Sequence, residues 1–244
     1  SQASQSADKR FDLDALVLTN EYIGYVEVGT LFIKAEHRGG GAGRLAAQSR
    51  YLLMATNPLH FGDKVLAELR GIIDDAGNTP FWDCLGRHFF QMSFDEADML
   101  SAVTDNQFIL DLMPKYPIYI DLLPKEAQDV IGVCHPQGVG AMRLLEWEGF
   151  HFERTVDIFD GGPLVSTYTQ NIRTIRDSRL VRVKTGESES SQTGLISTNA
   201  IKDFRAMSLL GHLQDTDTVI LPRLQSEAMG LKEGDFARLW LKED

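Results

Sequence analysis

Hydrophobic positions along the chain switch between two periods, and the switch points set out the elements. Val26, Val28, Leu31, Phe32 and Ile33 form an apolar run rich in β-branched residues, which predicts a strand over 26–33. Arg38-Gly39-Gly40-Gly41-Ala42-Gly43 follows it. Leu45, Ala46, Leu52, Leu53 and Ala55 then recur at helical spacing and predict a helix over 44–56. Upstream, Leu13, Leu16, Val17 and Leu18 predict a strand within 11–19. Downstream, a short strand over 65–73 meets the turn Asp74-Asp75-Ala76-Gly77-Asn78. Thr79 and Pro80 open a helix over 81–90 that carries Phe81, Trp82, Leu85, Phe89 and Phe90 on one face. Ser93 and Glu96 have the spacing of a capping box for a helix over 93–100.

The second half continues in the same way. An apolar stretch at 107–112 precedes a strand over 118–122, a helix over 124–131 and a Gly/Pro loop over 132–140 that holds Cys134, His135 and Gln137. A helix over 141–148 is closed by Gly149, and a strand over 150–159 turns at Asp160-Gly161-Gly162-Pro163 into a returning strand over 164–168. Residues 185–194 are polar, rich in Ser and Glu, and predict a linker or long loop. Strand patterns at 204–210, 219–221 and 236–241 predict a small β-rich unit over 195–244. The fold class is α+β, with a mixed sheet and flanking helices over 1–184 and the β-rich unit after the linker.

The glycine turn is where candidate chemistry begins. A Gly-rich turn between a strand and a helix aims backbone N–H groups and the positive helix end at one point, which suits a pyrophosphate. Glycine lets the backbone approach such a ligand. The turn is not a P-loop, because no Gly-Lys-Ser/Thr ends it. Arg38-x-x-Gly41-x-Gly43 instead resembles the loop with which GNAT acyltransferases hold the pyrophosphate of an acyl-coenzyme A. That resemblance implies a GNAT-like sheet and names Arg38, Gly39, Gly41 and Gly43 as cofactor-binding candidates. A sheet of that kind has more strands and helices before the loop, so the chain reads as N-terminally incomplete or completed by another chain.

Composition narrows the partners. The 244 residues carry a formal net charge of −11, which argues against a general nucleic-acid binder and against anionic membranes. It favours a cationic small substrate and leaves an anionic cofactor to local N–H groups and Arg38. Two cysteines, Cys84 and Cys134, make no disulfide framework, which points to a reducing cytoplasm. The histidines have no metal-ligand spacing, so no metal site is expected.

Longer runs resemble one family within this class, the bacterial arginine N-succinyltransferases. They include Gly29-Thr30-Leu31-Phe32, Ala67-Glu68-Leu69-Arg70-Gly71, Leu85-Gly86-Arg87-His88-Phe89-Phe90, Leu112-Met113-Pro114-Lys115, His135-Pro136-Gln137 and Asp157-Ile158-Phe159-Asp160-Gly161-Gly162-Pro163. The resemblance extends from about Gly29 to Val181. It implies transfer of succinyl from succinyl-CoA to the α-amino group of L-arginine in arginine catabolism. The incomplete sheet separately leaves an exposed edge near 13–19, from which a homo- or hetero-oligomer is expected. The resemblance also implies that Leu31 contacts succinyl-CoA and that His135 donates the proton. A histidine suits the departing thiolate, because its ordinary pKa of about 6.5 lies near neutral pH.

Read from residue type alone, His135 fits a structural hydrogen bond better than a catalytic role, and the resemblance reverses that order. Cys134 reads as a small buried residue rather than a nucleophile. Glu68 and Arg70 suit either substrate orientation or a buried ion pair. Two other functions stay open at this level: a coenzyme A-binding, subunit-like chain without turnover, and an acyltransferase for ornithine or another amine.

Overall fold

A computed structural model describes residues 1–104, 106–187 and 192–242. Its strands are β1 (Gln2–Ser4), β2 (Lys9–Phe11), β3 (Ala15–Leu16), β4 (Val26–Glu27), β5 (Lys64–Glu68), β6 (Ile118–Tyr119), β7 (His151–Val156), β8 (Pro163–Tyr168), β9 (Arg179–Thr185), β10 (Gly194–Thr198), β11 (Ala206–Ser208), β12 (His212–Leu213), β13 (Thr218–Leu221) and β14 (Phe236–Leu241). Its α-helices are α1 (Ala42–Thr56), α2 (Pro58–Phe61), α3 (Arg87–Phe90), α4 (Phe94–Val103), α5 (Gln107–Leu112), α6 (Lys125–Gln128), α7 (Val139–Glu148), α8 (Arg173–Arg176) and α9 (Arg223–Met229). The class is α+β, as the patterning predicts.

The chain divides into two compact units. The first comprises Ser1–Gly24, Leu66–Arg143 and Phe152–Ser166; the second comprises Tyr25–Val65, Leu144–His151 and Thr167–Asp244. A four-stranded sheet has the order β4-β5-β8-β7. Part of the expected linker, residues 188–191, lies outside the described residues.

In the first unit β3 pairs antiparallel with β6, setting Leu16 opposite Ile118. Both pack on Phe81, Leu85 and Val130. A second cluster surrounds Trp82, whose ring stacks on Phe90 at 5.1 Å and on Phe159 at 5.6 Å. The predicted helix over 81–90 forms as a π-helical segment, Trp82–Gly86, followed by α3. Gly86 makes that packing possible, since a Cβ there would lie 2.3 Å from Trp82 Cε3. The Ser93–Glu96 capping box forms as expected: Ser93 Oγ accepts from Glu96 N–H, and the Glu96 carboxylate accepts from Ser93 N–H.

The second unit is built on a six-stranded sheet of order β11-β10-β14-β9-β13-β12. Its pairs are antiparallel except β9 with β13, where Val183 faces Val219. Val181 and Val183 alternate with exposed Arg182 and Lys184, the period-2 pattern of a strand with one buried face. β10 and β14 are covered on both sides. Ile196 and Leu239 join Val181, Val219 and Leu221 in one core, while Leu195 and Trp240 pack with Leu52 of α1 in another. The sheet therefore supports α1, the helix that the glycine turn opens.

Two expected strands are shorter than their hydrophobic runs. Only Val26–Glu27 of 26–33 is ladder-paired, and of 11–19 only Phe11, at the end of β2, and Ala15–Leu16. Thr30 takes φ +57°, a left-handed conformation costly for a β-branched residue, and it ends any continuous extension through Leu31.

Candidate functional site

The glycine turn lies wholly in the second unit. Residues Ala35–His37 make one 3₁₀ turn, and the chain then enters α1 through Gly39 at φ +88° and Gly41 at φ +83°. Gly41 is the N-cap of α1 and supplies no side-chain acceptor, so the first N–H groups of the helix have no side-chain cap. A Cβ added at Gly39, Gly40 or Gly41 would meet nothing within 4 Å. At Gly39 and Gly41 the glycine is dictated by backbone conformation, and the space over the turn is open. Gly43 instead faces Ile33, whose Cγ1 lies 3.6 Å from the position of a Cβ. Arg38 Nε donates to Ile33 C=O at 2.9 Å, and its guanidinium lies 5.9 Å from the centre of the exposed Phe32 ring. Leu31, 39% exposed, stands in the unpaired extended segment just before. Arg50, from α1, donates to Gly29 C=O at 3.1 Å and ties this segment to the helix.

A buried polar network fixes α1 from behind. Gln48 Nε2 donates to Thr174 Oγ1 at 2.8 Å, and Thr174 Oγ1 donates to Glu148 Oε1 at 2.7 Å. Thr174 N–H donates to Glu148 Oε2 at 2.8 Å. Burial holds the Glu148 carboxyl above its ordinary range. Arg44, in the first turn of α1, and Arg173 place their guanidinium carbons 4.2 and 4.7 Å from the centre of Trp147. Sequence reading missed this set, because its members are scattered between positions 44 and 174 and none shares a motif with another.

His135 lies in the first unit, half-buried at the start of a 3₁₀ turn, Pro136–Gly138. Its N–H donates to Arg70 C=O at 2.8 Å, and its own C=O accepts from Gly138 N–H at 2.8 Å. The ring Nδ1 accepts from Gln137 N–H at 3.2 Å. That bond assigns the hydrogen of the neutral ring to Nε2, which is thereby presented as a donor. Gly138 is required by the same turn, since a Cβ there would lie 2.7 Å from Cys134 Sγ. Burial raises the Cys134 thiol, and the charge of Asp160 adds to that, so Cys134 is a protonated thiol and not a nucleophile. Glu68 and Arg70 are exposed, so neither forms a buried ion pair.

The first unit also contains a cleft of about 550 Å³. Leu16, Phe81, Leu85, Met113 and Leu164 form apolar walls, and Glu68, Arg154 and Asp157 bring charge to it. Asp157 Oδ1 accepts from Phe159 N–H at 2.8 Å and from Asp160 N–H at 3.0 Å. Burial pushes the Asp157 carboxyl up to about 6, and the neighbouring Asp160 charge adds to it. Asp160 is itself held by Gly71 N–H at 2.7 Å and Gly162 N–H at 2.8 Å. The motif at 157–163 was visible in sequence, but its closeness to Glu68 and Arg154 was not. Among the described residues no group of three or more His, Cys, Asp or Glu side chains is placed to hold a metal ion. Among the same residues no helix is long and apolar enough to cross a membrane.

Comparison with known proteins gives concordant matches. The family model described as "Arginine N-succinyltransferase beta subunit" matches residues 1–174, and the model for its C-terminal domain matches residues 179–240. An arginine N-succinyltransferase of Escherichia coli is 42% identical over 229 residues, 93% of this chain and 66% of the relative. One from Yersinia enterocolitica is 37% identical over 240 residues, 97% of this chain and 69% of the relative. The solved structure of arginine/ornithine succinyltransferase subunit AI from Pseudomonas aeruginosa is similar with a TM-score of 0.86 and 32% identity, over 100% of this chain and 70% of that one. The chain thus spans about two thirds of the length of the relatives it matches.

Proposed function

The chain belongs to the arginine N-succinyltransferase family, and from that membership we propose that it transfers succinyl from succinyl-CoA to the α-amino group of L-arginine. The observation that carries the reading is the family match, which runs through the glycine turn, the His-Pro-Gln turn and the C-terminal sheet alike. The uncapped N–H groups at the start of α1 supply what a coenzyme A pyrophosphate needs, with Arg38, Gly39, Gly41 and Gly43 shaping the turn and Leu31 beside it. A thioester is already activated toward amines, so succinyl-CoA as co-substrate suffices without a metal.

His135 is the proton donor in this reading. The α-amine attacks as the neutral base and forms the C–N bond, the carbonyl oxygen takes up charge, the C–S bond breaks to give a thiolate, and the attacking nitrogen releases one proton to solvent. Nε2–H hydrogen-bonds to the departing sulfur. Full transfer of a proton starts from the imidazolium, and that form gives up the 3.2 Å bond from Gln137 N–H.

The acceptor class is that of a cationic amino acid, and the Pseudomonas relative's title names arginine and ornithine together. We further propose a cytoplasmic enzyme that works as an oligomer. The unpaired Cys84 and Cys134 support the first, and the words "beta subunit" and "subunit" in the relatives' descriptions support the second. Those words also favour the second reading, a coenzyme A-binding subunit without turnover of its own.

A parent chain with no turnover of its own supports the subunit reading, and in a chain that turns over, replacing His135 with Ala tests the proton donor. For the enzyme, kcat falls roughly 10²- to 10⁴-fold while KM for succinyl-CoA moves much less. A kcat within a few-fold of the parent across the pH profile would assign His135 a structural role.

A further inference from the structure

We infer that the cleft of the first unit holds the acceptor amino acid, with Glu68 and Asp157 receiving its cationic side chain and Arg154 its carboxylate. The inference rests on the succinyl-transfer reading and deepens it, giving the acceptor residues of its own.

The charges on the walls carry the argument. A cationic amino acid offers one carboxylate, an apolar methylene stem and a cationic end, and its α-amino group must be left for the acyl group. The cleft offers one guanidinium, apolar walls from Leu16, Phe81 and Met113, and two carboxylates. Its volume lies within the usual range for small-molecule sites, about 300–1,000 Å³.

The fold places the charged groups there by register. Leu69 N–H donates to Pro163 C=O at 3.1 Å, which sets Glu68 beside Leu164 on the adjacent strand. Asp157 N–H donates to Gly162 C=O at 2.8 Å and closes the turn between β7 and β8. Asp157 is thereby fixed at the end of β7, its carboxylate oriented by two backbone N–H groups. A carboxylate taken out of water in this way is costly, and a bound cation offsets the cost.

Arg154 adds a second line of support. It takes φ +64°, a left-handed conformation rare outside glycine, in the middle of a strand. Such backbone outliers gather where a side chain must be aimed. Its partner is Asp14 at 2.9 Å, with both side chains largely exposed. An exposed pair of that kind is weak and can yield to a ligand carboxylate in bidentate geometry.

The test is calorimetry on the full chain, with and without coenzyme A, titrating L-arginine, agmatine (which lacks the carboxylate) and, separately, succinyl-CoA. Glu68→Gln and Asp157→Asn should each weaken L-arginine roughly tenfold or more, the scale of one lost charge-assisted bond. Arg154→Met should weaken L-arginine by a similar factor and leave agmatine unchanged. None of the three should move succinyl-CoA affinity by more than about twofold, since that affinity is set at the glycine turn. Variants that all bind L-arginine like the parent would overturn the assignment, as would a parent chain that binds none. Succinyl-CoA then tells the two readings apart: if it still binds, the cleft assignment alone fails; if it does not, the transferase reading fails with it.

Discussion

At position 157 a carboxyl is held where water reaches it poorly, and this has a stability consequence separate from ligand binding. Its folded pKa is raised to about 6, above the roughly 3.9 of an unfolded aspartate. Between those values the folded chain keeps a proton that the unfolded chain has lost. The favourable contribution is therefore complete below about pH 4 and is lost as pH rises through about 6. Asn at 157 can keep the Oδ1 acceptor for Phe159 and Asp160 N–H but cannot ionise. Thermal unfolding of Asp157→Asn should show a melting temperature that gains on the parent between about pH 4 and about pH 7.5. A difference that does not change with pH would contradict the burial account of this group. A residue that costs stability at neutral pH and sits in a cleft fits the trade-off expected of a functional position.

At the scale of elements, the glycine turn and α1 are the part most legible in the sequence, because backbone conformation and residue type dictate each other there. Gly41 at φ +83° is the sharpest case. Gly41→Val puts a β-branched side chain into a left-handed conformation, but with no atom within 4 Å of the new Cβ the strain stays in the turn. The variant should keep its fold with a thermal midpoint lowered by a few degrees and lose succinyl-CoA affinity at least tenfold in a calorimetric titration, because the turn's N–H groups no longer converge. Unchanged affinity would remove the turn from the cofactor site. The Ser93–Glu96 capping box, the turn at 74–78 and the hairpin at 160–163 were legible for the same reason: each is a local bargain between a few adjacent residues. Asp74, for example, accepts from Ala76 and Asn78 N–H within its own turn. What was not legible depended on partners distant in sequence. The run at 26–33 has strand composition, yet only two residues find a ladder partner. The run at 81–90 has helical spacing, yet Trp82 over Gly86 shifts it to a π-helical segment. The cleft needed Glu68, Arg154 and Asp157 brought together by sheet register, which no single motif encodes.

At the scale of the whole molecule, two charge requirements meet. A net charge of −11 attracts a cationic acceptor at long range and repels the highly anionic coenzyme A. In the proposed reading, neutral backbone N–H groups and a helix end, rather than a basic patch, reconcile the cofactor to this surface. The reaction proposed from family membership has a defined product. The most direct measurement is to incubate the chain with succinyl-CoA and L-arginine, follow thiol release, and determine the product by NMR. The account predicts one succinyl amide on the α-nitrogen of arginine for each coenzyme A released. Thiol release no faster than the spontaneous hydrolysis of succinyl-CoA, in a chain that binds succinyl-CoA, would contradict it.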